Sequence, residues 1–276
     1  MVKFNRLSRG KINLMLRIVG QRDDGYHNLQ TCFQLLEWGD LMTFNCINPV
    51  GSNAITIKGF PDLKKENNLI CQAADALLAY AQIPSDWEIT VKKNIPVGSG
   101  LGGGSSNAAE TLKLLNEQWG CGLSQAELIK IGGKLGADVP IFISGQSAVA
   151  TGIGDCLDPK TFETPYILLI FPEVSINTAT LFNQPGLMRK QVELLPAEIN
   201  QRDLWINDFF PVVLHQNTAI KTVYDLLKSR IDVRLSGTGS TMFALFNSES
   251  EAKNVFKWAD KLVKCLLVRP KIKAVD

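Results

Sequence analysis

The sequence predicts an α+β protein built in two halves, and three patterns carry that prediction. Residues 11–19, KINLMLRIV, place Ile12, Leu14, Leu16 and Ile18 at alternate positions, the period of a strand. A second alternating run, WEITVK at 87–92, leads directly into a stretch of glycines that is followed by helical spacing. From about residue 160 strand and helix signals begin again, after GDCLDPK at 154–160 has gathered turn residues. The economical division is one half over 1–158 and another over 159–276.

Taken in order, the first strand puts Lys11 and Asn13 together on the face opposite its apolar residues, and AITIK at 54–58 alternates in the same way. NLICQAADALLAYA at 68–81 spaces Leu69, Ala73 and Leu77 for an amphipathic helix with Asn67 or Asn68 as its cap. After the glycines, Ser105, Ser106 and Asn107 are N-cap residue types, and Ala108, Leu112, Leu115 and Trp119 recur at helical spacing. Ser124 and Glu127 form a capping box for a helix over 125–135, which Gly136 ends, leaving Asp138 in the turn GADVP. In the second half, YILLIF at 166–171 reads as a strand, 217–229 as a helix, and VRLSGTGSTMFALF at 233–246 as strand, turn and strand. Ser248 and Glu251 cap a helix, and VKCLLV at 263–268 is the last predicted strand. Neither internal repeats nor low-complexity segments interrupt this plan.

Composition narrows the function classes. Lys plus Arg number 29 against 27 Asp plus Glu, a balance that calls for no nucleic-acid partner. The apolar stretch after Lys3, Arg6, Arg9 and Lys11 is broken by Asn13 and Arg17, so no signal-peptide core is predicted, and no run approaches a membrane span. The six cysteines form no CxxC pair and only two histidines are present, which favours buried free thiols over a metal site or a disulfide framework. A cytoplasmic protein, with neither nucleic acid nor membrane as partner, is the expectation.

The segment with chemistry in it is NIPVGSGLGGGSSN, 94–107. Glycines let a backbone approach an oligophosphate, and a helix start offers open N–H groups and the positive end of its dipole. Gly98, Gly100 and Gly103 satisfy GxGxxG, but a dinucleotide fold also needs a second strand ending in an acid about 20 residues on, where this chain reads as helix. No Gly-Lys-Ser/Thr follows the glycines, which removes the Walker loop, and no HRD or DFG element is present for a protein kinase.

The loop PVGSGLGGGSSNAA (96–109), the start GKINLMLRIVGQRDDGYHNLQT (10–31), GADVPIF (136–142) and LSGTGST (235–241) together resemble the GHMP kinase superfamily. One departure is Arg9-Gly10, where the family usually has Pro-Ala. The resemblance implies a ribosomal-protein-S5-like N-terminal domain joined to a ferredoxin-like C-terminal domain. It implies transfer of the ATP γ-phosphate to the 2-hydroxyl of 4-diphosphocytidyl-2-C-methyl-D-erythritol, a step of the non-mevalonate isoprenoid pathway, with Mg²⁺ on the phosphates. The partner is then a small molecule carrying a cytidine diphosphate moiety, handled by a monomer or a weak homodimer. Two alternatives stay open on the residues: a GHMP kinase acting on homoserine, mevalonate or a sugar, and a non-catalytic nucleotide-binding protein.

By the same resemblance Asp138 and Lys11 are catalytic. Asp138 either takes the hydroxyl proton or orients the hydroxyl, and Lys11 stabilises the developing alkoxide. ATP falls to Pro96, Val97, Gly98, Ser99, Gly100, Leu101, Gly102, Gly103, Gly104, Ser105 and Ser106, with Asn68 and Lys93 beside them. Substrate falls to Asn13, to Tyr26 and His27 in the polar turn DGYH, to Phe182 in TATLF, and to Gly237, Thr238 and Gly239. An aromatic ring beside an imidazole suits a pyrimidine base. His215, with no motif around it, reads as structural, and no carboxylate cluster identifies metal ligands.

Overall fold

The computed structural model describes residues 2–60, 64–83 and 85–272. In chain order the elements are β1 (Lys3–Gln21), β2 (His27–Asn48), β3 (Ile55–Lys58), α1 (Leu69–Leu77), β4 (Asp86–Lys92), α2 (Gly103–Gln118), α3 (Gln125–Leu135), α4 (Val139–Ser144), β5 (Ala148–Thr151) and β6 (Cys156–Pro159). There follow β7 (Tyr166–Ile170), α5 (Thr178–Phe182), α6 (Phe210–Gln216), α7 (Thr218–Leu227), β8 (Arg234–Leu235), β9 (Met242–Phe246), α8 (Glu249–Ala259) and β10 (Cys265–Val268). Contacts divide the chain into two compact units that are not consecutive stretches of sequence. The first holds the residues up to Gly10, Trp38–Pro96 and Gly102–Gly145; the second holds Lys11–Glu37, Val97–Leu101 and the residues from Gln146 on.

In the first unit β2 pairs antiparallel with β4, Met42 opposite Val91 and Phe44 opposite Ile89, and β3 runs parallel to β4. Met42, Phe44, Trp87, Ile89 and Val91 are buried, as alternation requires of a sheet with one covered face. α1 packs against α2, and α4 against both α2 and α3. Asn68 caps α1, its Oδ1 accepting the Ile70 N–H at 3.0 Å. Ser124 and Glu127 close the predicted capping box on α3, with the Ser124 N–H donating to Glu127 at 2.8 Å. α2 starts earlier than its cap residue types suggested: Gly102 is its N-cap, so Ser105 and Ser106 lie inside the first turns. Asp138 stands at the N-cap of α4, a short helix the sequence reading left as a turn, and its side chain does not cap that helix.

In the second unit a four-stranded antiparallel sheet has the order β10-β7-β9-β8, and α8 packs against β7 and β9. Leu168, Ile170, Met242 and Ala244 of the sheet join Ile220, Leu227, Ala252 and Ala259 of the helices, and Leu16 and Ile18 of β1, in one apolar core. β2 here pairs with β5, and β5 with β6, Ala150 opposite Leu157. The turn residues at 154–155 are thus the tip of a β5-β6 hairpin, and the segment 154–160, expected as turn between two halves, carries a strand. β1 is buried on both faces from Lys11 to Ile18, so the face that Lys11 shares with Asn13 is covered as fully as the apolar one. Five of the six cysteines are buried free thiols, and Cys156 is an exposed one.

Candidate active site

The residues that the sequence singles out fall in both units. To the first belong Asn68, Lys93, Pro96, Gly102–Ser106 and Asp138; to the second belong Lys11, Asn13, Tyr26, His27, Val97–Leu101, Phe182 and Gly237–Gly239.

In the second unit Lys11 is 3% exposed, and an ammonium taken out of water needs partners. It donates to Asn13 Oδ1 at 2.7 Å and lies 5.2 Å above the centre of the Phe33 ring. Asn13 Nδ2 donates to Thr31 Oγ1 at 2.8 Å, and the Thr31 hydroxyl donates to the Met15 carbonyl at 2.6 Å. Each group in this chain is oriented by the next, so the Lys11 ammonium has a fixed place. Gly237 belongs beside it: a Cβ there would sit 3.0 Å from Asn13 Oδ1 and 3.7 Å from Lys11 Nζ.

The first half of the glycine loop is tied to the same groups. The Lys11 N–H donates to the Leu101 carbonyl at 3.0 Å, and the Thr241 N–H to the Ser99 carbonyl at 3.1 Å. Gly100 has φ +77°, and a Cβ on it would meet the Gly239 carbonyl at 2.7 Å and the Ser236 carbonyl at 2.8 Å, so only glycine fits. The loop at 236–239 is held in turn by Asn207, whose Nδ2 donates to the carbonyls of Leu235 at 2.9 Å and Gly237 at 2.8 Å. Thr238 meets Thr178 at 2.8 Å through their hydroxyls. Asn207 and Thr178 carry no motif and were missed in the sequence.

A third cluster in this unit is aromatic. His27 and Phe182 stack with ring centres 5.0 Å apart and planes 29° apart, and Phe209 supports Phe182 edge-on at 4.8 Å. Arg189 fastens the Phe182 backbone, its guanidinium donating to the Phe182 carbonyl at 2.9 Å. The Nε2 of His27 is buried without a hydrogen-bond partner among the described residues, which leaves a polar atom for a ligand to satisfy. Burial first and the Arg189 charge second hold the His27 pKa below the usual imidazole value, so the ring is neutral at pH 7 and offers one donor and one acceptor. Tyr26, next to it in the turn, is 63% exposed. His215 is exposed on α6, away from any motif.

In the first unit the head of α2 is the feature that can take an anion. Lys93 Nζ lies 3.1 Å from where a Cβ on Gly103 would be, and it pairs with the fully buried carboxylate of Asp40. Gly136, two residues before Asp138, faces Ser105: a Cβ on it would stand 3.8 Å from the Ser105 hydroxyl. Asn68 is 5% exposed and engaged in its cap. Among the described residues no three or more of His, Cys, Asp and Glu gather as a metal cage. Magnesium is commonly bound by one or two carboxylates together with substrate phosphates, and Asp138 in the unit that carries the α2 head fits that donor set. No helix among the described residues is long and apolar enough to cross a membrane.

Comparison with known proteins gives the family. The model described as GHMP kinases N terminal domain matches residues 68–146, and GHMP kinases C terminal matches 185–262. The 4-diphosphocytidyl-2-C-methyl-D-erythritol kinase of Pseudomonas fluorescens is 39% identical over 251 residues, 90% of this chain and 87% of that protein. The enzyme of the same name from Psychromonas ingrahamii is 42% identical over 247 residues, 89% of this chain and 85% of that one. A crystal structure of 4-(cytidine 5'-diphospho)-2C-methyl-D-erythritol kinase matches with a TM-score of 0.83 at 26% identity, covering 98% of this chain and all of that one. The Methanococcus jannaschii mevalonate kinase, at 15% identity and a TM-score of 0.67 over 98% of this chain and 99% of that one, shares the fold.

Proposed function

Because this chain belongs to the GHMP kinases and, among them, to the 4-diphosphocytidyl-2-C-methyl-D-erythritol kinases, we propose that it phosphorylates that alcohol with ATP, on its 2-hydroxyl, in the non-mevalonate route to isoprenoids. The observation in the molecule that carries the substrate reading is the His27–Phe182 stack with its unsatisfied Nε2. A cytosine ring has a face for the aromatic pair and polar edge atoms for a neutral imidazole, whereas homoserine, mevalonate and a plain sugar have no base to stack. Tyr26, at the exposed lip of the same turn, adds a second ring.

The phosphoryl step asks for positioning and charge neutralisation rather than covalent help. The loop from Pro96 to Ser106 takes the ATP phosphates, with the α2 head and Lys93 supplying positive potential and Asn68 lining the nucleotide. Mg²⁺, for which Asp138 would be a donor beside the substrate phosphates, would supply further charge neutralisation when bound. Asp138 accepts or orients the acceptor hydroxyl proton, and Lys11 stabilises the alkoxide. Buried and directed by Asn13, the Lys11 ammonium spends no reorganisation at the moment of reaction. Gly237, Thr238 and Gly239 take the substrate side of this cluster. In domain terms, 1–158 is the ATP-binding half and 159–276 the second half.

The test is purified protein with ATP, Mg²⁺ and the cytidyl alcohol, read as ADP release. Turnover with this alcohol and none with homoserine or mevalonate is expected; the opposite preference refutes the reading. Asp138→Ala keeps ATP affinity and loses turnover if the aspartate is catalytic.

A further inference from the structure

Asp40 sits at a Gly-Asp step in β2 and is fully buried. Its Oδ1 accepts the N–H groups of Asn94 and Ile95, both at 2.8 Å, and its Oδ2 pairs with Lys93 and accepts Asn107 Nδ2 at 3.2 Å. One carboxylate therefore grips both the exit of β4 and the second turn of α2. Its ion pair is one-sided: the Asp40 side chain has no exposure, whereas that of Lys93 is 22% exposed at the head of α2. The ammonium has three donors, and the fixed carboxylate behind it leaves others for an anion in front.

Asn107 carries the same influence further. With its amide oriented by Asp40, its Nδ2 also donates to Ser8 Oγ at 2.7 Å. Ser8, having accepted, donates its own proton to Ser106 Oγ at 2.8 Å. Ser106 accepts in that bond, which leaves its own hydroxyl proton to be donated elsewhere. A buried chain in which every donor direction follows from the one before is set by its charged end.

We infer that Asp40 is a positioning residue for ATP: it holds the Lys93 ammonium at the head of α2 and, through Asn107 and Ser8, turns the Ser106 hydroxyl to donate to a phosphate oxygen. The inference rests on the reading that this helix start binds the ATP phosphates. Asp40→Asn keeps the shape and removes the charge, and it opposes an NH₂ to both Lys93 and Asn107 Nδ2. Affinities for a non-hydrolysable ATP analogue and for cytidine diphosphate are measured by calorimetry on Asp40→Asn, Lys93→Met and the double variant. Asp40→Asn is expected to weaken the ATP analogue about 10- to 100-fold, the range for one charge-assisted hydrogen bond, and to leave cytidine diphosphate unchanged. The double variant is expected to lose more than Lys93→Met alone but less than the product of the two single losses, because the substitutions share the Asp40–Lys93 pair while the route through Asn107 and Ser8 belongs to Asp40 only. Multiplying losses, or equal losses for both nucleotides, would overturn the inference and make Asp40 a packing residue. Unchanged ATP affinity in Lys93→Met and in Ser106→Ala overturns instead the phosphate-site reading. If Asp40→Asn does not fold, Ser8→Ala carries the test with the carboxylate in place: an ATP-specific loss supports the relay, and none overturns it.

Discussion

Gly100→Ala perturbs the glycine loop at the point where sequence and packing most tightly determine each other. The residue has φ +77°, which costs a side chain about 1–2 kcal/mol. The added methyl would also meet two carbonyl oxygens, at 2.7 and 2.8 Å, belonging to Gly239 and Ser236, neither of which is a flexible side-chain end. Relief of such overpacking costs typically 1–3 kcal/mol, so the sum is about 2–5 kcal/mol against an ordinary stability of about 5–15. The variant therefore folds, and the strain is released by displacement of the loop from the 236–239 segment. Gly122 provides the control, since it has φ +69° with nothing within 4 Å of a Cβ. Gly122→Ala bears the backbone cost alone. Thermal unfolding and ATP-analogue affinity are measured for both variants. Gly100→Ala is expected to lower stability the more and to lose ATP affinity at least tenfold, while Gly122→Ala keeps it. Wild-type ATP affinity in Gly100→Ala, or an equal loss in Gly122→Ala, refutes the claim that this contact sets the loop.

Phe182→Leu removes the ring under His27 and is expected to weaken cytidine diphosphate by about 1–3 kcal/mol, the worth of one base–aromatic stack, with ATP unaffected; equal losses count against a base site. His27 has its pKa depressed in the fold, so the unfolded chain binds the proton first as pH falls, and the stability its neutral ring contributes is present above pH 6.5 and lost through the lower folded value. Cytidine diphosphate affinity should fall over the same acid limb, and a limb of equal depth in His27→Asn would sink that assignment. Asn207→Asp sets a carboxylate against the carbonyls of Leu235 and Gly237 and is expected to unfold at lower temperature than Asn207→Ala, which only leaves them unpaired at about 1–3 kcal/mol; the reverse order would show that Asn207 does not hold that loop.

The readable parts of the chain were those in which local chemistry decides the outcome. α1 and α3 announced themselves through Asn68, Ser124 and Glu127, whose side chains complete the caps in the structure. β4 and β9 showed strand patterns in runs short enough to read. β2 was missed, although it is 22 residues long. From Gln30 to Leu36 it is buried on both faces, which erases period-2 alternation, and Gly39-Asp40 in its middle has the composition of a turn. The burial of Lys11 was hidden for the same reason, because alternation says which residues share a face and not whether that face is covered. Around the candidate site, the glycine loop stood out in the sequence as a backbone suited to a phosphate, while Asp40, Thr31 and Asn207 did not stand out. Each is a single polar residue whose partner lies far away in sequence, as with Asn207 and Leu235 or Asp40 and Lys93.

Those distant partners explain why the loop and Lys11 are better treated as one device than as two motifs. The Leu101 carbonyl accepts the N–H of Lys11 itself, and Ser99 accepts that of Thr241, so main-chain bonds register the loop's first half against the strand that presents the ammonium. Gly100, between those two carbonyls, packs so closely that a Cβ on it would meet the Gly239 and Ser236 carbonyls, and Ser236 Oγ accepts the Asn13 N–H at 3.2 Å. A shift of the loop therefore reaches Asn13 and Lys11 by two routes, one through Leu101 and one through Ser236. Phosphoryl transfer gains its rate from fixed distances among phosphate, hydroxyl and cation. Substitutions in Val97–Leu101 should for that reason depress turnover at saturating ATP as well as ATP affinity, a pairing that a loop serving only to hold nucleotide has no means to produce.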